Sequence, residues 1–212
     1  MSVHPTFKIK IQAGGKKFFR NWIFKNLSLE IGPADKISVT GQNGSGKSTL
    51  LQVIAGYESL SEGMLQYTSE DREIPREDIF NHLSIAAPYL ELVDEFTLEE
   101  IVSFHFQFKV PAQGYSAKEI IELSELESSK KKVFKYFSSG MKQRAKLALA
   151  ILSSVDLVLL DEPLSNLDKA GERWYSDLAE KFLHEKTVVV CSNQNHSEYF
   201  FCNQNINIAD YK

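Results

Sequence analysis

The sequence predicts an α/β fold: a mostly parallel sheet covered by helices, with a small antiparallel β part and an inserted helical lobe. Three observations carry this reading. Residues 41–49 read GQNGSGKST, between the strand-like KISVT and the helix start TLLQVIAG. Far downstream, VDLVLLDEP is a strongly apolar strand ending in two acids, followed by the helical AGERWYSDLAEKFLHE and the apolar KTVVVCSN. Strand alternating with helix is the signature of a parallel sheet whose faces are covered. Between these two halves, from about 89 to 137, the pattern turns helical.

Taken in order, FKIKIQ and WIFKNLSLEI read as strands, with Gly32-Pro33 as a turn before the strand that enters the glycine loop. Gly56 and Gly63 bracket a break after the first helix, and MLQYTS looks like a further strand. The charged stretch EDREIPRED reads as a solvated loop, and LSIAAP as a buried strand. TLEEIVSFHFQF is a helix with Thr97 as N-cap and Glu100 in the capping-box position, and SAKEIIELSEL is a second, capped by Ser116. Lys130, Lys131 and Lys132 read as a solvated helix end, and a further helix follows Ser139. The expected organisation is a single domain over 1–212, with its core in 1–88 and 138–212 and a helical lobe in 89–137.

Composition narrows the function. The chain has 212 residues, 43% hydrophobic and 25% charged, with a net charge of −4. No basic face is advertised, so no nucleic-acid partner is expected. No apolar run approaches the ~20 residues that span a bilayer. MSVHPTFKIK has no signal-like apolar core. A cytoplasmic protein is expected, touching a membrane only through a partner. Cys191 and Cys202 lack metal-type spacing, and Cys191, inside TVVVCS, reads as a reduced buried thiol.

GQNGSGKST fills the phosphate-loop template at every fixed position. Gly41, Gly44 and Gly46 let successive N–H groups turn inward on a phosphate, together with the backbone of Asn43, Ser45 and Thr49. Lys47 supplies a charge for the β- and γ-phosphates and Ser48 a hydroxyl for Mg²⁺, at a helix N-terminus that favours anions. Asp161 ends an apolar strand, where a carboxylate can hold Mg²⁺ directly or through its water. Glu162 follows, placed to orient or deprotonate an attacking water.

Between these motifs lies FSSGMKQRAKLALAIL. It closely resembles the signature segment of ATP-binding cassette (ABC) ATPases, whose common form is LSGGQ; Phe137, Ser138, Ser139, Gly140 and Met141 fill the five positions, with Gln143 and Arg144 downstream. LSLEIGPADKISVTGQNGSGKSTLLQVIAG is similar to the family's first core segment, and Leu164-Ser165-Asn166-Leu167-Asp168 to its D-loop. The resemblance covers almost the whole chain. It implies MgATP shared between the phosphate loop of one chain and Ser138, Ser139 and Gly140 of a second ABC ATPase subunit, in a homodimer or a heterodimer. Asp168 would contact the partner, and hydrolysis would reopen the pair. A separate transmembrane transporter subunit would dock near Pro88 to Glu95 and be rocked by the cycle. The family's adenine-stacking aromatic falls on Phe18, with Phe19 an alternative and Trp22 a weaker one. The SSGMKQR variant and short C-terminus resemble exporter-type ATPases, with importers carrying long C-terminal extensions less favoured.

Two positions depart from the family. Pro88 stands where it has a glutamine that touches Mg²⁺ and the attacking water, and no glutamine occurs from Tyr67 to Phe106. Asn193 stands where it has a histidine on the γ-phosphate; His196 lies three residues beyond. Asn can donate an N–H but carries no proton charge. Asn193 is thus expected to replace histidine in part, beside Glu162 as base. The alternatives are a hydrolysis-poor regulatory ABC subunit and a non-transport ABC ATPase. A GTPase is disfavoured for want of an N-K-x-D-like motif, and a kinase because it would not need the signature helix.

Overall fold

The computed structural model describes residues 6–212. Along the chain run β1 (Lys8–Phe18), β2 (Asn21–Ile31), β3 (Lys36–Thr40), α1 (Lys47–Ile54), β4 (Glu62–Ser69), β5 (Arg72–Ile74), β6 (Leu83–Ala86), α2 (Leu98–His105), α3 (Ala117–Leu123), α4 (Ser139–Ile151), β7 (Leu157–Asp161), α5 (Lys169–Phe182), β8 (Thr187–Ser192) and β9 (Gln204–Asn207). Two sheets result. One is antiparallel with order β2-β1-β4-β5, the other parallel with order β6-β7-β8-β3-β9.

The central strands KISVT, LVLLD and TVVVCS are buried at every position, as strands covered on both faces must be. The pleat divides them. Leu157, Leu159, Val189 and Cys191 join β1, β2 and α1 in one apolar cluster, while Val158, Leu160, Val188 and Val190 join α2 to α5 in the other. The parallel sheet is therefore the wall between two cores.

Local chemistry sets the helix starts. Thr97 and Glu100 form the expected capping box, with the Glu100 N–H donating to Thr97 Oγ1 at 3.3 Å and the Thr97 N–H to Glu100 Oε2 at 2.7 Å. Ser116 caps α3 in the same way, with Glu119 as its partner.

Several expectations need correcting. The charged stretch 70–78 is not a plain loop: Arg72–Ile74 adds β5 to the antiparallel edge, and a 3-10 turn over Arg76–Asn81 follows, anchored by buried Ile79. Lys130 to Lys132 do not end α3: Lys130 is the C-cap of a short 3-10 turn over Glu127–Ser129, and the run leads into the Thr97–Val133 bridge. KTVVVCSN forms β8, parallel to β7, and β9 adds an outer strand parallel to β3 that the sequence reading did not include, with buried Ile208 just beyond it.

Candidate functional site

The phosphate loop leaves β3 and feeds α1. Gly41, Gly44 and Gly46 all have positive φ, at 153°, 74° and 108°. At Gly46 a Cβ would come within 2.5 Å of Ile23 Cγ2, while at Gly44 it would meet open space. The loop is thus packed at its base and open at its crown, where Gln42, Asn43 and Gly44 are exposed. Lys47 is buried and curls back, donating to the Gly41 carbonyl at 2.8 Å and the Gln42 carbonyl at 3.2 Å. Those bonds hold its charge inside the loop it would serve. Ser45 Oγ is buried there without a hydrogen-bond partner among the described residues.

Strand register brings the acids to this loop. Cys191 of β8 pairs with Val39 of β3 on one side and Asp161 of β7 on the other, so the three lie in one row. With neighbouring strands ~4.8 Å apart, Asp161 sits about 10 Å across the edge from the strand that launches the loop. Burial pushes the Asp161 carboxyl above its usual range and the charge of Glu162 adds to this, while the Ser48 hydroxyl and Lys47 oppose them. Its Oδ1 is buried without a hydrogen-bond partner among the described residues. An orphaned carboxylate oxygen beside a hydroxyl is a donor set that suits a hard divalent cation. Cys191, in the same row, is fully buried and free, as its sequence context suggested, and donates to the Lys47 carbonyl at 3.4 Å.

Glu162 is half-buried, with φ of +46°. For a non-glycine residue that left-handed conformation costs about 1–3 kcal/mol unless its surroundings enforce it. Here they do: the Glu162 N–H donates to the Cys191 carbonyl at 2.9 Å and the Ser165 N–H to the Glu162 carbonyl at 3.0 Å. Among the described residues, the side chain accepts only a long 3.4 Å bond from the Ser165 hydroxyl.

The signature turn is built as a helix start. Ser138 caps α4, accepting the Met141 N–H at 3.2 Å. A Cβ on Gly140 would meet the Asn166 carbonyl at 2.9 Å, so only glycine lets the following loop pass this close. An open groove there is lined by Ser138, Ser139, Gly140, Arg144, Asn166 and Asp168, among others, and by no phosphate-loop residue. Asp168 has an internal task as well, since it caps α5 by accepting the Gly171 N–H at 2.8 Å.

Phe18 ends β1, 41% exposed, with the Lys16 ammonium 4.8 Å over its ring. Phe19 is wholly exposed at the hairpin tip, and Trp22 lies between the ammonium groups of Lys17 and Lys25. The contact of Ile23 with Gly46 places this hairpin against the phosphate loop. Asn193 follows β8 directly and is exposed. His196 instead packs on Tyr199, ring centroids 5.2 Å apart, and lines a separate depression with Gln194, Cys202 and Asn205.

Two further residues near the site have no motif in the sequence to mark them. Tyr89, next to Pro88, has a hydroxyl within reach of the Gln52 side chain; burial pushes its pKa up and the Asp161 charge pushes it further. Glu198 lies buried beyond β8, with its carboxylate turned toward the loop after Glu162.

The ABC transporter family matches residues 24–165. An uncharacterized ABC transporter ATP-binding protein of Haemophilus influenzae is 31% identical over 185 residues, covering 87% of this chain and 75% of its own length. The aliphatic sulfonates import ATP-binding protein SsuB of Bacillus subtilis is 27% identical over 217 residues, covering 98% and 80%. In fold, the chain superposes on a dimeric ATP-binding cassette solved in a post-hydrolysis state with ADP and Pi, with a TM-score of 0.79, 22% identity and 95% coverage of each chain.

Proposed function

This chain belongs to the ABC transporter family, and we propose that it binds and hydrolyses MgATP as the ATPase subunit that powers a separate membrane-spanning partner. The observation that carries the proposal is the row Val39–Cys191–Asp161, which sets an unpaired carboxylate oxygen and the Ser48 hydroxyl beside the phosphate loop.

The residues divide the work. Backbone N–H groups from Gly41 to Thr49 cradle the phosphates at the start of α1. Lys47 exchanges its two carbonyl partners for β- and γ-phosphate oxygens, a charge-assisted contact stronger than the one it leaves. Ser48 and Asp161 would hold Mg²⁺, which neutralises phosphate charge when bound. Glu162 takes a proton from water as its oxygen bonds to the γ-phosphorus and the bond to the β-phosphate oxygen breaks, leaving ADP and phosphate. The exposed amide of Asn193 donates to the γ-phosphate, and Phe18 offers a ring to adenine.

Because the groove at Ser138 and Gly140 shares no residue with the phosphate loop, we place the second half of each nucleotide site on another copy or on a related ATPase. The transmembrane partner is assigned to the apolar hollow between core and lobe, lined by Tyr57, Phe80, Leu90, Leu92, His105 and Lys109. Among the described residues no helix is long and apolar enough to cross a membrane. The boundaries 1–88, 89–137 and 138–212 are proposed for core, lobe and core.

Glu162→Gln tests the assignment. It removes the base while keeping shape, so turnover should fall by roughly a hundredfold or more, with ATP affinity retained. Unchanged turnover would remove Glu162 from the mechanism.

A further inference from the structure

Glu198 has no task in the reaction as described, yet it is an acid only 5% exposed. It closes the 3-10 turn His196–Glu198 after β8. Its Oε1 accepts the Leu164 N–H at 3.2 Å, and its Oε2 meets the Ser192 hydroxyl. Ser192 Oγ in turn accepts the Asn195 N–H at 3.1 Å. The Tyr175 hydroxyl fixes the turn from behind, donating to the Glu198 carbonyl at 2.7 Å. The chain therefore runs Leu164, Glu198, Ser192, Asn195, joining two loops distant in sequence.

Packing alone does not explain an acid here. The side chain is buried, and a carboxyl costs more to bury than an aliphatic side chain of similar size. What the carboxyl does that an aliphatic group cannot is bond both loops at once. One loop begins at Glu162, whose left-handed backbone must be held in place. Leu164 lies two residues on. The other loop begins at Asn193, directly after Ser192 at the end of β8.

We propose that Glu198 is a positioning residue that locks the loop carrying Glu162 to the loop carrying Asn193, so that the base and the γ-phosphate donor keep a fixed relation. The inference rests on the hydrolytic reading of Glu162. Glu198 touches no substrate atom itself; it acts through the Leu164 N–H and the Ser192 hydroxyl.

The test uses the full chain and measures kcat, KM for ATP, thermal stability, and amide exchange at Leu164 and Asn195. Glu198→Gln can still accept from Leu164 with its oxygen and donate to Ser192 with its NH₂, so kcat should stay within about threefold of the parent. Glu198→Ala breaks both bonds, so kcat should fall at least about tenfold, KM should change less than about twofold, and exchange at Leu164 should quicken. Unchanged kcat per folded molecule in Glu198→Ala, or an equal loss in Glu198→Gln, overturns the proposal. A merely structural acid would lower stability and leave kcat alone. If Glu198→Ala does not fold, Ser192→Ala carries the test: kcat should fall at constant KM, and an unchanged kcat again overturns it. A parent chain that does not hydrolyse ATP at all would instead refute the reading of Glu162, a failure distinct from the one above.

Discussion

Asn193 and His196 compete for one role, the donor to the γ-phosphate, and position separates them. Asn193 leaves the end of β8 directly and is exposed there. His196 is turned onto Tyr199 and lines a different depression. Asn193→Ala should therefore lower kcat by roughly tenfold or more, in keeping with loss of one hydrogen bond to developing charge, while His196→Ala stays within about twofold. Steady-state ATPase rates of the two variants decide it; a larger loss in His196→Ala reverses the assignment. Residues of the phosphate loop were legible in the sequence because glycine, lysine and serine at fixed spacing have few other uses. Glu198 was not. NQNHSEYFF shows no periodicity that separates a buried acid from a solvated one, and burial here is decided by Tyr175 and Leu164, which are remote in sequence. Tyr89 escaped for a related reason: its approach to Gln52 and Asp161 depends on how β6 lies beside β7.

Helix α2 ends on a histidine whose titration couples that element to pH. His105 meets Ser153 Oγ at 2.9 Å and lies edge-on to Phe106, with Lys109 as the neighbouring charge. Burial chiefly, and Lys109 next, lower its pKa from 6.5 to about 4. The unfolded chain therefore takes up this proton first as pH falls below 6.5, and the folded chain does not follow until near 4. The stability lost between those limits reaches about 2 kcal/mol by pH 5, at 1.36 kcal/mol per unit. Denaturant unfolding at pH 7.5 and pH 5 should show this loss in the parent chain and about 2 kcal/mol less of it in His105→Gln; equal losses would mean His105 is not buried as described. The start of α2 was readable, because Thr97 and Glu100 make a capping box from local spacing alone. β5 and β9 were not. REI and QNIN carry too few apolar residues to announce a strand, and their hydrogen bonds come from β4 and β3, so pairing rather than propensity makes them.

At the scale of the whole molecule, the phosphate loop and the signature turn stand in separate surroundings, each a helix start open to an anion. If each nucleotide is gripped by the loop of one chain and the turn of another, a defect in either motif should be complemented by the opposite defect. Lys47→Ala removes the phosphate-loop charge. Ser138→Asp preserves the cap of α4, since Asp caps as well as Ser, but points a negative charge at the partner's phosphate. Homodimers of either variant contain no intact site. A mixed dimer contains one, made from the Ser138→Asp chain's phosphate loop and the Lys47→Ala chain's signature turn. Random mixing makes half the dimers mixed, each with one of two sites intact, so a 1:1 mixture should recover up to about a quarter of parental turnover. Adding Glu198→Ala to the Lys47→Ala chain should leave this recovery largely intact, whereas adding it to the Ser138→Asp chain should cut it at least about tenfold, because that chain supplies Glu162 and Asn193 to the surviving site. A mixture no more active than its parts would show that each chain completes its own site, and the head-to-tail arrangement would fall.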